Sequence, residues 1–118
     1  MNKVIIAGGR AFNDYLLLKC KCDVILKQLE GEITIIQGGA NGADSLGKKY
    51  AKDRGYKCQQ YNADWDTHGK CAGYIRNKEM AEVGTHLIAF WDGKSPGTKM
   101  MIQLASEYNI PTRIIKYV

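Results

Sequence analysis

Apolar and polar positions follow two rhythms along this chain. Lys3 to Ala7 (KVIIA) is a continuous apolar run closed by Gly8 and Gly9, as expected of a strand buried on both faces of a sheet. Ile33 to Gln37 (ITIIQ) repeats that run and again ends in paired glycines, Gly38 and Gly39. From Asn13 to Glu30 the rhythm is helical: Leu18, Cys22, Ile25 and Leu29 recur at spacings of four, three and four, with Asn13 or Asp14 to cap the start and Gly31 to stop it. A second helix is predicted from about Ala43 to Arg54. There Leu46 and Tyr50 share a face, Gly47 and Ala51 let the helix sit close to the sheet, and Gly55 terminates it.

Tyr56 to Tyr61 reads as a third, less apolar strand. Asn62 to Ala72 has no period and is expected to be one long loop, followed by a helix from about Gly73 to Val83. Thr85 to Trp91 is an apolar, β-branched and aromatic strand. Gly97 to Tyr108 sets Thr98, Met101, Leu104, Ala105 and Tyr108 on one helical face, and Thr112 to Val118 closes the chain as a strand after Pro111. Strands alternating with helices predict an α/β domain, Rossmann-like and three-layered, with a parallel five-stranded sheet built from right-handed crossovers. With the chain returning after the third strand to the far side of the first, the strand order is 3-2-1-4-5. A crevice then opens between strands one and four, beyond their carboxyl ends, where ligands bind in such folds.

Length and composition narrow this picture. At 118 residues, 45% hydrophobic and 25% charged, the chain has room for one ordinary core, so residues 1–118 are expected to form a single domain. No apolar run approaches the ~20 residues of a membrane span, and Met1 leads straight into a strand-like segment, so a cytoplasmic protein is expected. Cys20, Cys22, Cys58 and Cys71 contain no CxxC pair, and His68 and His86 are far apart; reduced thiols and no metal site are expected. A formal charge of +5 favours anionic partners. Its densest basic group, Lys48, Lys49, Lys52, Arg54 and Lys57, lies where a helix should turn its wet face to solvent, and nucleic-acid stripes usually come with interleaved aromatics or a recognisable docking motif, which favours a small anion over a nucleic acid.

Three glycine-rich turns leave the predicted sheet on the crevice edge: Gly8-Gly9-Arg10; Gly38-Gly39-Ala40-Asn41-Gly42-Ala43-Asp44; and Trp91-Asp92-Gly93-Lys94-Ser95-Pro96-Gly97-Thr98. Glycine lets a backbone approach a ligand closely, and free amides at a following helix start favour phosphate. None is a Walker motif or a GxGxxG fingerprint, so neither ATP hydrolysis nor an ordinary hydride-transfer cofactor is expected. Arg10 is placed to pair with a phosphate or with a loop carboxylate, Asp64 or Asp66. Asp44 reads either as a helix cap or as an acceptor for a ribose hydroxyl. In the loop, Trp65 can stack a base or pin the loop to the domain, and His68 reads as a loop hydrogen-bonder. Arg76 begins the inward stripe of its helix, with Asn77 and Lys70 as companions.

Together these residues resemble the YspA-like branch of the SLOG superfamily, which also holds the LOG phosphoribohydrolases and the DNA-processing protein DprA. The matching pieces are Gly8-Gly9-Arg10 with Phe12, Asp14 and Tyr15; Gly38-Gly39-Ala40 with Gly42-Ala43-Asp44; Ala63-Asp64-Trp65; Gly69 with Ala72-Gly73 and Arg76-Asn77; and Gly97-Thr98. The resemblance implies a pocket for a nucleotide or nucleotide derivative, formed by the glycine-rich turns after the second and fourth strands, often within a homodimer. LOG-type hydrolases are similar but carry PGGxGTxxE after the fourth strand. Counting from Gly97-Thr98, the glutamate position here is Met101, which can neither take a proton nor stabilise an oxocarbenium-like centre. Binding without turnover is therefore expected, as sensor or sponge for an ADP-ribose derivative or cyclic oligonucleotide. The rivals are an N-glycosidase using Arg76 and a substitute carboxylate such as Glu79 or Asp92, and a single-stranded nucleic acid binder.

Overall fold

The computed structural model describes residues 1–117. Its five strands are β1 (Asn2–Gly8), β2 (Ile33–Gln37), β3 (Lys57–Gln60), β4 (His86–Trp91) and β5 (Thr112–Lys116), all parallel and ordered β3-β2-β1-β4-β5. This is the predicted Rossmann-like topology, with β1 and β4 adjacent at the switch point. The final residue of the predicted fifth strand, Val118, lies outside the described residues.

The continuous apolar runs are explained by helices on both faces. Val4, Ile6, Ile35, Ile88 and Phe90 face α1 (Tyr15–Leu26) and α2 (Ala43–Arg54), whereas Ile5, Ala7, Ile36, Leu87 and Ala89 face α4 (Ala72–Val83) and α5 (Pro96–Glu107). Val4, Ile5 and Ile6 are completely buried; truncating such a side chain to alanine costs ~2–5 kcal/mol. The edge strands carry the polar sequences expected where one side of the ladder meets solvent, and β3 is exposed throughout.

Asp14 caps α1 by accepting from the Leu17 amide at 3.0 Å, as predicted. The helix is shorter than its periodicity suggested: it ends at Leu26, with Ile25 and Leu29 only partly buried. Gly31, at φ +90°, serves the turn into β2 instead of stopping the helix. Asp23 on α1 receives Arg54 at 2.9 and 2.7 Å and the Tyr50 hydroxyl at 2.6 Å, which locks α1 to α2 and holds the carboxyl down to about 2. In α2 a Cβ on Gly47 would stand 3.0 Å from Ile6, so its absence sets the close helix-to-sheet approach.

The segment expected to be a loop is largely helical. Asp64 accepts from the Thr67 amide at 3.1 Å and starts a one-turn helix, α3 (Trp65–His68); a 3-10 turn over Gly69–Cys71 then runs directly into α4. A single turn is too short to display a period, so the capping aspartate was the only available signal. Tyr108 also departs from expectation: it lies just past the end of α5 and is exposed, while Thr98, Met101, Leu104 and Ala105 form the buried face. The four cysteines are free thiols, of which Cys22 is buried and pushed up to about 12 by desolvation. Among the described residues no helix is long and apolar enough to cross a membrane.

Candidate functional site

A cleft of about 570 Å³ opens at the carboxyl ends of β1 and β4, within the range of small-molecule sites. Its floor is Gly8, Gly9 and Arg10 from the β1 turn. One wall comes from α4 through Tyr74, Arg76, Asn77 and Met80, and the other from the start of α5 through Ser95, Gly97, Thr98 and Met101. A second compartment of about 270 Å³ continues past Arg10, Ala40, Trp65 and Arg76 to the second glycine-rich turn, where it reaches Gly38, Gly39 and Asn41.

The glycines of the first two turns have distinct jobs. A Cβ on Gly8 would overlap the Phe90 carbonyl and Ala43, and one on Gly42, at φ +82°, would overlap the backbone of Gly9 and Arg10. With the Ala43 amide donating to the Gly9 carbonyl at 3.2 Å, these residues form a seam that seats the start of α2 against the β1 turn. Gly42 and Ala43 line neither compartment.

The second turn is organised by charge. Asp44, only 6% exposed, accepts from the amides of Gly38 at 3.2 Å and Ala40 at 3.4 Å. Arg76 donates through Nη1 to the Gly38 carbonyl and through Nε to the buried Asn77 Oδ1 at 2.8 Å. The Gly39 amide donates to Gln37 Oε1 at 2.6 Å. Amides expected to cradle a phosphate are thus already held by the protein's own side chains.

A family model for the YspA, cpYpsA-related SLOG family matches residues 2–68, a span running from β1 through α3 that contains both seamed turns and Trp65. The chain belongs to that family. The Gene 61 protein of Mycobacterium phage D29 is 32% identical to this SLOG protein over 120 residues, covering 94% of each. A crystal structure of a predicted tRNA methyltransferase subunit from Methanocaldococcus jannaschii resembles it with a TM-score of 0.49 and 16% identity, over 97% of this chain and 67% of that one.

The electrostatics of the SLOG cleft follow from burial. Desolvation raises the Asp44 carboxyl to about 6, against the opposing pull of Arg76, the amides of Ala40 and Gly38, and Arg10. Burial lowers Arg76 from its ordinary value, while Asp44 pulls the other way. Arg10 is exposed and, among the described residues, makes no salt bridge; the carboxylate partners expected for it do not arrive, because Asp64 is turned to its own helix and Asp66 does not pair with it.

The glycine-rich turn after β4 divides between framework and site. Asp92 accepts from the amides of Lys94 and Ser95, both at 2.8 Å, and from the Ser95 hydroxyl at 3.1 Å; Trp91 Nε1 donates to the Ser95 carbonyl at 3.1 Å. Trp91, Asp92 and Gly93 therefore build the turn and line neither compartment. Gly97 and Thr98 do line the cleft, and among the described residues their amides, in the first turn of α5, meet no acceptor. Met101, 1% exposed, belongs to the cleft's apolar wall. His68, Glu79 and Asp92 lie outside both compartments, whereas Lys70 lines the larger one.

Sequence reasoning missed Tyr74, Met80 and Met100 in the larger compartment and Asn62 and Ala63 in the smaller. Met80 was within reach, lying four residues beyond Arg76 on the same helix face. Ala63 was legible only as part of the family-like Ala63-Asp64-Trp65 piece, and Asn62 carries no such signal, because its position depends on the crossover that returns from β3.

Proposed function

We propose that this SLOG protein binds a nucleotide-derived, phosphate-bearing small molecule and holds it without turnover. The observation that carries the reading is the cleft at the β1–β4 switch point, where Arg10, Lys70 and Arg76 face a single carboxylate, Asp44, and the free amides of α5. Three cations against one acid favour a ligand with more than one negative charge. Trp65 and Tyr74, 52% and 46% exposed at the cleft, offer aromatic faces to a base. Met101 in place of the hydrolase acid supports capture over hydrolysis.

The class we favour is an ADP-ribose derivative or a cyclic oligonucleotide, bound as a signal or sequestered by a sponge. The phage relative supports a setting in host cytoplasm, against a defence that uses nucleotide signals. A homodimer is part of this proposal: Leu16, Cys20 and Val24 form an exposed row on α1 that a second copy can cover, and a solution mass of twice 13.2 kDa is the expected result. The deciding experiment is mass spectrometry of small molecules released by heat from purified protein, paired with thermal-shift screening of nucleotides. Intact nucleotide in the released fraction supports the reading; an empty fraction together with no thermal shift overturns it.

A second reading, N-glycosidic hydrolysis, draws support from Asp44, a buried carboxyl raised to about 6 beside Arg76. Its Oδ2 is engaged by two amides, which favours a positioning role. Release of free base from nucleoside monophosphates tests it.

A further inference from the structure

The site has two chambers with unlike linings. The larger is walled by Tyr74, Met80, Met100 and Met101, an apolar surface suited to a flat ring. The smaller is walled by backbone and by the side-chain amides of Asn41 and Asn62. The two share Arg10, Ala40, Trp65 and Arg76. Charge is therefore concentrated at the waist, with one further cation, Lys70, on the larger side.

The smaller chamber is poorly made for a phosphate. The Gly38 and Ala40 amides are taken by Asp44 and the Gly39 amide by Gln37, and its only cations are the two guanidinium groups of the waist. What it offers is amide donors and acceptors, which suit hydroxyl groups. A ligand ending in a phosphate would leave it empty or drive a charge into it.

We propose that the ligand is a diphosphate substituted at both ends, with its base-bearing arm in the larger chamber, its diphosphate at the Arg10–Arg76 waist, and an uncharged, sugar-like arm among Asn41, Asn62 and the second glycine-rich turn. One phosphoryl group takes Lys70 and the Gly97 and Thr98 amides, and the other takes the two arginines. This rests on the nucleotide-binding reading and names the ligand class for the same site.

The test is calorimetric titration of the purified protein, at one ionic strength and pH 7.5, with ADP-ribose, ADP, AMP and cyclic di-AMP. ADP carries more charge than ADP-ribose but lacks the second arm, so a site that reads charge alone prefers ADP. The expected result is ADP-ribose binding at least ten-fold more tightly than ADP. Equal or tighter binding of ADP, AMP or cyclic di-AMP overturns the two-armed proposal and leaves nucleotide binding standing; no binding by any of the four also overturns the two-armed proposal, and nucleotide binding falls with it when the heat-released fraction is empty and no nucleotide shifts the melting temperature. Ala63→Phe, which fills the smaller chamber, is expected to reduce the preference for ADP-ribose over ADP to less than two-fold. An undiminished preference in that variant also overturns the proposal.

Discussion

Asp44 and Arg76 are held together by the backbone of Gly38, whose amide donates to the carboxylate and whose carbonyl accepts from the guanidinium. Asp44 is buried and Arg76 half-buried, and the two charges meet through this shared residue, so both also shape the turn. A Cβ on Gly38 would stand 2.6 Å from Arg76 Nη1 and 2.8 Å from Asp44 Oδ2. Gly38→Ala is therefore expected to displace both side chains and destabilise the protein by ~1–3 kcal/mol. Ligand affinity should fall more than ten-fold, as read by thermal unfolding with and without ADP-ribose.

The raised carboxyl of Asp44 makes stability depend on pH in an unusual direction. Its folded value of about 6 lies above the ordinary 3.8, so between these values the folded state binds more protons than the unfolded state. Stability from this group is then greatest below pH 4 and declines as pH rises toward 6, by ~3 kcal/mol at most. Asp23, held down to about 2, acts in the opposite sense: its stabilisation is present above pH 4 and lost as pH falls toward 2. Asp44→Asn should remove the decline between pH 4 and 6 while retaining the loss below it. Denaturant unfolding across pH 2–8 reads both slopes.

The same proton affects ligand capture. Protonating Asp44 removes the one negative charge facing Arg10, Lys70 and Arg76, so an anion should bind more tightly at pH 5 than at pH 7. A diphosphate substituted at both ends is the right probe, since a terminal phosphate titrates near pH 6 itself. ADP-ribose affinity is expected to rise several-fold over that interval in the parent and to stay level in Asp44→Asn.

How much of this was legible beforehand depends on what each residue had to reveal. Strand burial was plain in Val4, Ile5 and Ile6, because a sheet covered on both faces needs no alternation, and the strand order followed from the crossovers. Roles within the glycine-rich turns were not legible, because a glycine looks the same whether a ligand or the protein needs its space. Gly42 is required by the backbone of Arg10, while Gly97 has nothing within 4 Å of its missing Cβ. Asp92 and Asp44 were equally ambiguous. Each proved to take up amides of its own turn, an outcome set by side-chain conformation and not by spacing.

That contrast between glycines is itself testable. Gly97 sits in open space on a regular helical turn, where alanine lowers the entropy of the unfolded chain and stabilises by ~0.4–1 kcal/mol. Its methyl group would nevertheless stand where a phosphate approaches the α5 amides. Gly97→Ala should raise the melting temperature of the free protein and weaken ADP-ribose binding, whereas Gly42→Ala should lower the melting temperature outright. A Gly97→Ala protein that binds as well as the parent would show that the α5 start is not part of the site.

The two arginines at the waist should separate binding from folding. Arg10 is exposed and makes no salt bridge among the described residues, so Arg10→Ala is expected to change stability by less than ~0.5 kcal/mol. Arg76 donates to the Gly38 carbonyl and to Asn77, and it faces Asp44; its removal leaves the Gly38 and Asn77 acceptors without their donor and Asp44 with only the amides of its own turn, at ~1–3 kcal/mol. Both variants should lose ligand, but Arg10→Ala through weaker charge attraction, so that its affinity deficit shrinks as salt is raised and surface electrostatics are screened. The deficit of Arg76→Ala should persist at high salt, because the turn that forms the smaller chamber is no longer held in place. Titrating both variants at low and high ionic strength, with unfolding curves measured in parallel, distinguishes an arginine that recruits the ligand from one that also builds its seat.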